Sequence, residues 1–403
     1  MKLATAFSVN ADSVLAITQA YQQVKNQLGG ESPQFLVVHS SVNFDCSLMM
    51  STLKTIAPSV PIHGGTSCVG VMTALGFHNG AGDDSEKSVG LLGILDPEGS
   101  YGVGVADLDT NPRAAAFAAS QKALEQAKRP GEVPSIVWIM GPPGNEESLL
   151  KGIGDFFGPN VPIGGGSSGD NTVTGEWLQF ANGEVYKNSI VVSVLFASKG
   201  IAFSFHSGYD PTGKKALVTK GEGRVIHQLN NRPAAEFYNE WIGGGITEEL
   251  AHGGNILMKS SLFPLGRIVG LMGETPYYQL SHPDSVTADK SITMFSEVQL
   301  NDEVHLMQGS LESLIHRAER VVKSAIRTGD VDPEKIAGAI IIYCAGCMLT
   351  VKEQMPEVVE SFRLGLGENI PFLGAFTFGE QGCFLGGENR HGNLMISVLI
   401  FRS

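Results

Sequence analysis

The sequence predicts an α/β protein made of repeated β-α-β-α-β-β-β units, which form mixed sheets flanked by helices in two domains. Three observations predict it. Short apolar, β-branched runs end abruptly in glycines, as buried strands do when they empty into loops. Segments with apolar residues at helical spacing separate them. One strand signature recurs: Val60-Pro61-Ile62-His63-Gly64-Gly65-Thr66-Ser67, Val161-Pro162-Ile163-Gly164-Gly165-Gly166-Ser167-Ser168 and Ile370-Pro371-Phe372-Leu373-Gly374-Ala375-Phe376-Thr377 align without gaps. A β-branched residue and a proline open each strand, where no ladder donor is required, and small residues close it.

Taken in order, unit A (2–95) reads strand 3–7, helix 12–28, strand 35–39, helix 46–57, strand 60–65, a turn-rich segment and strand 88–95. Unit B (101–196) gives strand 102–107, helix 113–128, strand 135–140, helix 146–157, then strands 161–165, 177–181 and 189–196. Unit C (303–401) gives strand 304–307, helix 311–327, strand 338–343, helix 354–366, strand 370–376, a strand near 383–385 and strand 394–401. Residues 201–302 fit less well: strands at 201–205 and 223–227, then a helix at 233–242 with proline in its first turn. The natural division is therefore 1–199, holding units A and B, and 200–403, holding the divergent part and unit C.

A hydrophobic content of 42% with 17% charged residues describes an ordinary globular chain. Its 28 basic and 41 acidic residues leave a net charge of −13 with no basic block, which argues against nucleic acid or an anionic membrane as partner. There is no signal-peptide pattern, and no stretch approaches the ~20 apolar residues of a membrane span. The expectation is a soluble, cytoplasmic protein. In a reducing compartment its five cysteines would be free, metal-binding or redox-active.

The strongest chemistry lies where strand 338–343 and strand 370–376 end. They are joined through a helix as a βαβ unit, so they run parallel and their following loops open at one edge. Those loops hold Cys344, Cys347 and Cys383, and Tyr343 closes the first strand. Three thiolates suit zinc, copper(I) or an iron–sulfur cluster, with Cys46, Cys68, Glu380 or His391 available as a fourth ligand. The Cys344-x-x-Cys347 spacing equally suits a redox dithiol, and three buried cysteines acting as small hydrophobes are the plain alternative. In unit B, Gly165, Gly166, Ser167, Ser168 and Asp170 end a strand with bare backbone and hydroxyls, which can cradle an anion or small polar ligand. A tight turn explains them as well. His39 and His63 in unit A offer imidazoles for zinc or haem, although most lone histidines are satisfied polar residues.

These residues resemble a known family. Pro162 through Asp170, followed by Phe180-Ala181-Asn182-Gly183-Glu184-Val185, is similar to the N-terminal half of FIST-domain sensory proteins. Arg224-Val225-Ile226, Ala234-Ala235-Glu236-Phe237-Tyr238, Cys344-Ala345-Gly346 and Phe376-Thr377-Phe378-Gly379-Glu380 resemble the C-terminal half. The resemblance implies a non-enzymatic intracellular sensor of small molecules such as amino acids, coupled to a histidine kinase or a cyclic-dinucleotide signalling enzyme. One branch of the family is haem-containing and senses nitric oxide. Two departures stand out: Cys347 occupies the place of the family's arginine after Cys-Ala-Gly, and Cys383 is added. Loss of that arginine removes a partner for a ligand carboxylate, while the added thiols favour a metal.

The expectation is thus a sensor of a diatomic gas, redox change or small molecule, with an iron–sulfur cluster on Cys344, Cys347 and Cys383 and haem as the variant. Its output would pass to a separate protein. A metal-free metabolite sensor, with Gly165, Gly166, Ser167, Ser168, Asp170, Tyr343 and Glu380 as ligand-binding residues, and a Cys344/Cys347 thiol oxidoreductase are the alternatives.

Overall fold

The computed structural model describes residues 1–80, 87–384 and 386–403. Each unit folds a four-stranded sheet in one order: first strand, last strand, second, third. In unit A these are Lys2–Ser8, Val89–Leu95, Phe35–Ser40 and Ile62–Thr66; in unit B, Ser100–Asp107, Ser189–Phe196, Ile136–Gly141 and Ile163–Ser167. The second and third strands pair in parallel, as the βαβ reading requires. The repeated proline has a common duty. The carbonyls of Pro61, Pro162 and Pro371 accept from the N–H groups of Leu36, Val137 and Ala339 at 2.9–3.0 Å, which sets the parallel register in all three units. Helices begin where short polar side chains take up free N–H groups: Asp12 bonds Leu15, Asp45 bonds Leu48, Asn111 bonds Ala114, and Ser310 and Ser313 form a reciprocal box.

Unit C differs from expectation at its first strand. That position is held by Ile201–His206, antiparallel to Ile396–Arg402, beside Ile336–Cys344 and Phe372–Thr377. The strand expected at 304–307 exists as Glu303–Gln308 but pairs with Asp210–Glu222 and Leu265–Met272 in a separate nine-stranded sheet. Residues 210–308 are therefore an insertion between the first strand of unit C and its helix Leu311–Thr328. Both candidate strands have the composition of a half-buried strand, and only long-range pairing chooses between them.

The units exchange hairpins in a ring. Val71–Thr73 and Gly76–His78 of unit A complete the sheet of unit C; Gln179–Ala181 and Glu184–Tyr186 of unit B complete that of unit A. Gly379–Cys383 and Asn389–Gly392 of unit C complete that of unit B. The strand expected near 383–385 is part of this hairpin; residue 385, and residues 81–86 of the turn-rich segment in unit A, lie outside the described residues. Backbone bonds at the crossing points keep the same sense: Cys68 to Phe376, Gly169 to Thr66, Phe378 to Ser167. Such crossings need bare backbone. A Cβ on Gly166 would stand 2.5 Å from Thr377, and one on Gly382 2.2 Å from the ring of Phe205.

The three sheets face one another across a common core that includes Phe35, Val37, Trp138, Met140, Ile340 and Leu399. Each sheet's other face carries its own helices. Burial on both faces explains continuous apolar strands such as Val89–Leu95. His39 and His63 point into the shared core. His39 Nδ1 donates to the Gly65 carbonyl at 3.2 Å, His63 Nδ1 meets Ser193 at 2.7 Å, and neither Nε2 has a hydrogen-bond partner among the described residues.

Candidate functional site

Strand Ile336–Cys344 alternates between two cores. Ile340 and Ile342 face the shared centre, while Ile341 and Tyr343 face the helices of unit C. At Cys344 the chain turns into the short helix Ala345–Thr350, which brings Cys347 back beside Cys344. Three other segments converge there: Arg317 from helix Leu311–Thr328, Tyr209 from the entry to the insertion, and Glu380 from the exchanged hairpin. The insertion covers the edge: Tyr209 donates to the Ser261 carbonyl at 2.8 Å, and the ring of His282 approaches Gly346. Cys347, Arg317, Tyr343 and Glu380 are fully enclosed, and Cys344 is 6% exposed.

The electrostatics of this chamber are unusual. Arg317 forms no carboxylate ion pair among the described residues. Its Nη1 donates to the carbonyls of Ser207 (3.2 Å) and Leu394 (2.8 Å), its guanidinium lies 4.6 Å from the Tyr343 ring centre, and Nε and Nη2 have no hydrogen-bond partner among the described residues. Burial works against the guanidinium charge, but Cys347, Tyr343 and Tyr209 more than offset it. Burial alone would push the Cys347 thiol up; the Cys344 hydrogen bond, the Arg317 charge and the Tyr209 hydroxyl, 3.5 Å away, bring it down to about 6. Burial and donation to Cys347 hold Cys344 well above the ordinary thiol range. Burial likewise keeps the Glu380 carboxyl neutral, though Thr377 and the Met395 N–H bond it, each at 3.0 Å. Tyr343, which donates to Leu314, is pushed up by burial to about 12.

Cys383 does not join this cluster. Its sulfur faces the Phe384 carbonyl at 3.6 Å and lines a separate cavity of about 240 Å³ with Phe205 and His206. Among the described residues no group of three or more His, Cys, Asp or Glu stands where it could hold a metal ion. A buried guanidinium beside Cys347 also opposes a cationic metal there. Cys344, Cys347 and Cys383 as placed do not fit an iron–sulfur cluster. Of the proposed fourth ligands Glu380 reaches the thiol pair, but Cys46 lies against Ser40 and His391 belongs to another cleft. His39 and His63, whose Nε2 atoms have no hydrogen-bond partner among the described residues, are enclosed between the sheets, a poor fit to a haem.

The glycine–serine stretch is strand rather than cradle. Gly165, Gly166 and Ser167 are paired on both sides, by Ile136–Gly141 and by Gly379–Cys383. The N–H groups of Ser168 and Gly169 go to the carbonyls of Gly141 and Thr66. Asp170 is buried and accepts from the backbone N–H groups of Thr172, Val173, Thr174, Gly175 and Glu176, so it shapes a loop. Ser167 has a further contact: it donates to Glu146 at 2.8 Å and accepts from Gln381.

That contact leads to an open cleft of about 500 Å³ between helix Glu146–Phe157, the insertion and the end of the exchanged hairpin. Glu147 lines it, and behind Glu147 stands Arg224, 22% exposed at the side chain, which bonds Glu146 at 2.6 Å and Glu147 at 2.7 Å. Burial raises Glu147, but His391, Arg224 and the Glu297 N–H outweigh it and bring the carboxyl to about 2. Gln381 donates to His391 Nδ1 at 3.2 Å, and His391 Nε2 donates to the Phe295 carbonyl at 3.0 Å. Toward solvent stand Arg113 with Asp155, Lys151 with Glu297, and Arg390 with Glu388.

Sequence reasoning missed Arg317, Tyr209 and this cleft. Arg317 left a signal: it falls three residues after Leu314 and four before Val321, on the apolar face of its helix. Tyr209 and the cleft left none, since they depend on where the insertion folds.

Fold and site together describe a two-part, mixed α/β protein with a closed thiol cluster and an open cleft along its seam. A FIST N domain model matches residues 34–232 and a FIST C domain model residues 234–383, so the chain belongs to the FIST-domain family, whose members are in general small-ligand sensors in signal transduction. The two matches meet inside the insertion. An uncharacterized protein of Methanocaldococcus jannaschii is 34% identical over 98 residues, which is 24% of this chain and 19% of that relative. The chain thus aligns with about a fifth of that relative's length. Solved structures of Thermotoga maritima PurL are only distantly alike. The AMPPCP complex has 10% identity and a TM-score of 0.22, covering 100% of this chain and 73% of that one. The FGAR complex has 8% identity and a TM-score of 0.24, covering 99% and 73%. Such scores carry no argument about fold or function. No helix among the described residues is long and apolar enough to cross a membrane.

Proposed function

We propose that this protein is a non-catalytic, cytoplasmic FIST sensor that takes a small charged metabolite into the open cleft. One observation carries the reading: the cleft of about 500 Å³ is walled by both halves of the chain, with Arg113, Glu147 and Lys151 from one and Arg267, Glu297 and Arg390 from the other. Its volume falls within the range of ordinary ligand sites, and a position between lobes lets a ligand act on their fit. Both signs of charge line it, which suits a ligand carrying both, such as an amino acid.

The exchanged hairpin supplies the route outward. His391 lines the cleft and is held by Gln381, while Glu380, on the opposite face of the Gln381 strand, reaches the thiol cluster. Ligand binding that shifts this hairpin alters both sides of it. The signal then passes to a separate protein, and the family resemblance points to a histidine kinase or a cyclic-dinucleotide enzyme. An iron-dependent, nitric-oxide-sensing reading has no comparable support, because Cys383 stands apart from Cys344 and Cys347.

Thermal-shift and calorimetric titration with amino acids and small carboxylates tests the reading. The expected result is a raised melting temperature that disappears in Arg267→Ala/Arg390→Ala. A panel that leaves the wild-type protein unmoved, or a shift that survives the double variant, rejects the cleft as the site.

A further inference from the structure

We propose that Cys344 and Cys347 are a redox-active dithiol, oxidised to an intramolecular disulfide by hydrogen peroxide. This is a second input to the protein, at a site distinct from the ligand cleft. The argument begins with a charge that lacks a partner. Arg317 is fully enclosed and meets two carbonyls and the Tyr343 ring, but no carboxylate among the described residues. A guanidinium does not give up its proton, so an enclosed one requires a counter-charge. Glu380 accepts from Thr377 and the Met395 N–H, but burial outweighs these bonds and raises its carboxyl well above the ordinary range, which disfavours it as the counter-charge. Cys347 is the acidic group of the chamber whose ionisation is favoured rather than opposed, and a thiolate there, 3.5 Å from the Tyr209 hydroxyl, supplies the negative charge. Tyr209 supports that state: its hydroxyl lies 2.8 Å from the Ser261 carbonyl and 3.5 Å from Cys347 Sγ, so its proton can turn to a charged sulfur and return when the charge is gone.

The second thiol is in place to complete the chemistry. Cys344 caps the helix Ala345–Thr350 and Cys347 lies in its first turn, with the Cys344 thiol hydrogen-bonded to Cys347. The Cys347 thiolate attacks one oxygen of the peroxide and the O–O bond breaks, giving a sulfenic acid and hydroxide. Cys344 then attacks the sulfur of that sulfenic acid; the S–O bond breaks, and the Cys344 proton leaves with the hydroxyl as water. The hydroxide from the first step takes up a proton from solvent. In sum, two thiols lose two electrons and one peroxide becomes two waters.

Enclosure selects the oxidant. Tyr209 lies against Cys347, and His282 and Leu394 lie beside Gly346 between the two cysteines, so Cys347 is enclosed and Cys344 only 6% exposed, which favours a small uncharged oxidant. Oxidation also has a structural consequence. It removes the thiolate and leaves Arg317 enclosed with no counter-charge, which disfavours the present packing of helix Leu311–Thr328 against Leu394.

The test is peroxide titration of the folded, fully reduced protein, followed by acid quench, digestion and mass spectrometry. The expected product is a Cys344–Cys347 linkage with two hydrogens lost, while the bulky disulfide reagent DTNB leaves both thiols untouched in the folded protein. In Cys344→Ser the reaction stops at a sulfenic acid on Cys347 that dimedone captures. Tyr209→Phe, which keeps the packing, slows oxidation by about tenfold, as does Arg317→Lys less directly. Both thiols remaining reduced under millimolar peroxide, or a linkage involving Cys383 instead, overturns the proposal. The two readings separate cleanly: Arg267→Ala/Arg390→Ala abolishes cleft binding yet leaves disulfide formation intact, and Cys344→Ser does the reverse.

Discussion

The exchanged hairpin Gly379–Cys383/Asn389–Gly392 has two very different neighbours. On the side of Glu380 lies a buried chamber with a guanidinium, two thiols and two phenols, in which the guanidinium forms no carboxylate ion pair among the described residues. On the side of Gln381 and His391 lies an open cleft in which cations face carboxylates at 2.5–4.0 Å. The same type of side chain acts differently in the two places. At the cleft rim, water screens pairs such as Arg113–Asp155 and Arg390–Glu388 and leaves arginine free to exchange a carboxylate for a ligand's. In the chamber, the Cys344 hydrogen bond, the Arg317 charge and the Tyr209 hydroxyl together bring the Cys347 thiol down against burial. The open side is built to recognise a molecule, and the closed side to change its own charge state.

The sharpest way to break this contrast is to remove the enclosed cation. Arg317→Ala leaves two carbonyls and a thiolate without their partner, and urea unfolding is expected to show a loss of about 3–5 kcal/mol. Arg224→Ala probes the cleft's partly buried wall, where Glu146 is enclosed but Arg224 meets solvent; discounted for that screening, the loss is about 2–3 kcal/mol. A stability change as large as that of Arg317→Ala would mean the cleft wall is not the more water-screened of the two.

Acid should strike the enclosed regions first. Burial lowers His282, in the cover of the thiol chamber, and His39, in the shared core, to about 4, despite opposing hydrogen bonds to Leu257 and Gly65. Both are neutral in the folded state at neutral pH. Because their folded values lie below the unfolded 6.5, their contribution is complete above pH 6.5 and is lost as pH falls toward 4. Each loses roughly 2 kcal/mol by pH 5. Melting temperatures measured from pH 7 to 5 should fall steeply, and less so in His282→Gln. The smallest effect belongs to the cleft rim: Arg113→Ala breaks an exposed pair with Asp155, and its denaturation midpoint should match the wild type.

Much of this was legible along the chain. The three Val/Ile-Pro strands, the helices between them and the convergence of two loops at one edge of unit C follow from residue pattern alone, because strand and helix periods are local properties. Cys344 and Cys347 meet for the same reason, as a spacing of two residues joins them through one turn. Cys383 does not, since its place depends on a hairpin that crosses to another unit's sheet. Gly165, Gly166 and Ser167 read as a bare loop because a strand paired on both sides looks the same in sequence as one whose end is free. The choice of Ile201–His206 over residues 304–307 was hidden for a similar reason.

What the sequence by itself determined, then, was the repeated unit and the two thiols at its edge, features set by contacts between near neighbours in the chain. Only the tertiary structure decided the ring of exchanged hairpins, the cleft between the halves, and the meeting of Arg317 with Cys347. Those contacts join residues far apart in the chain, and their energy exists only once all three sheets have closed on one core.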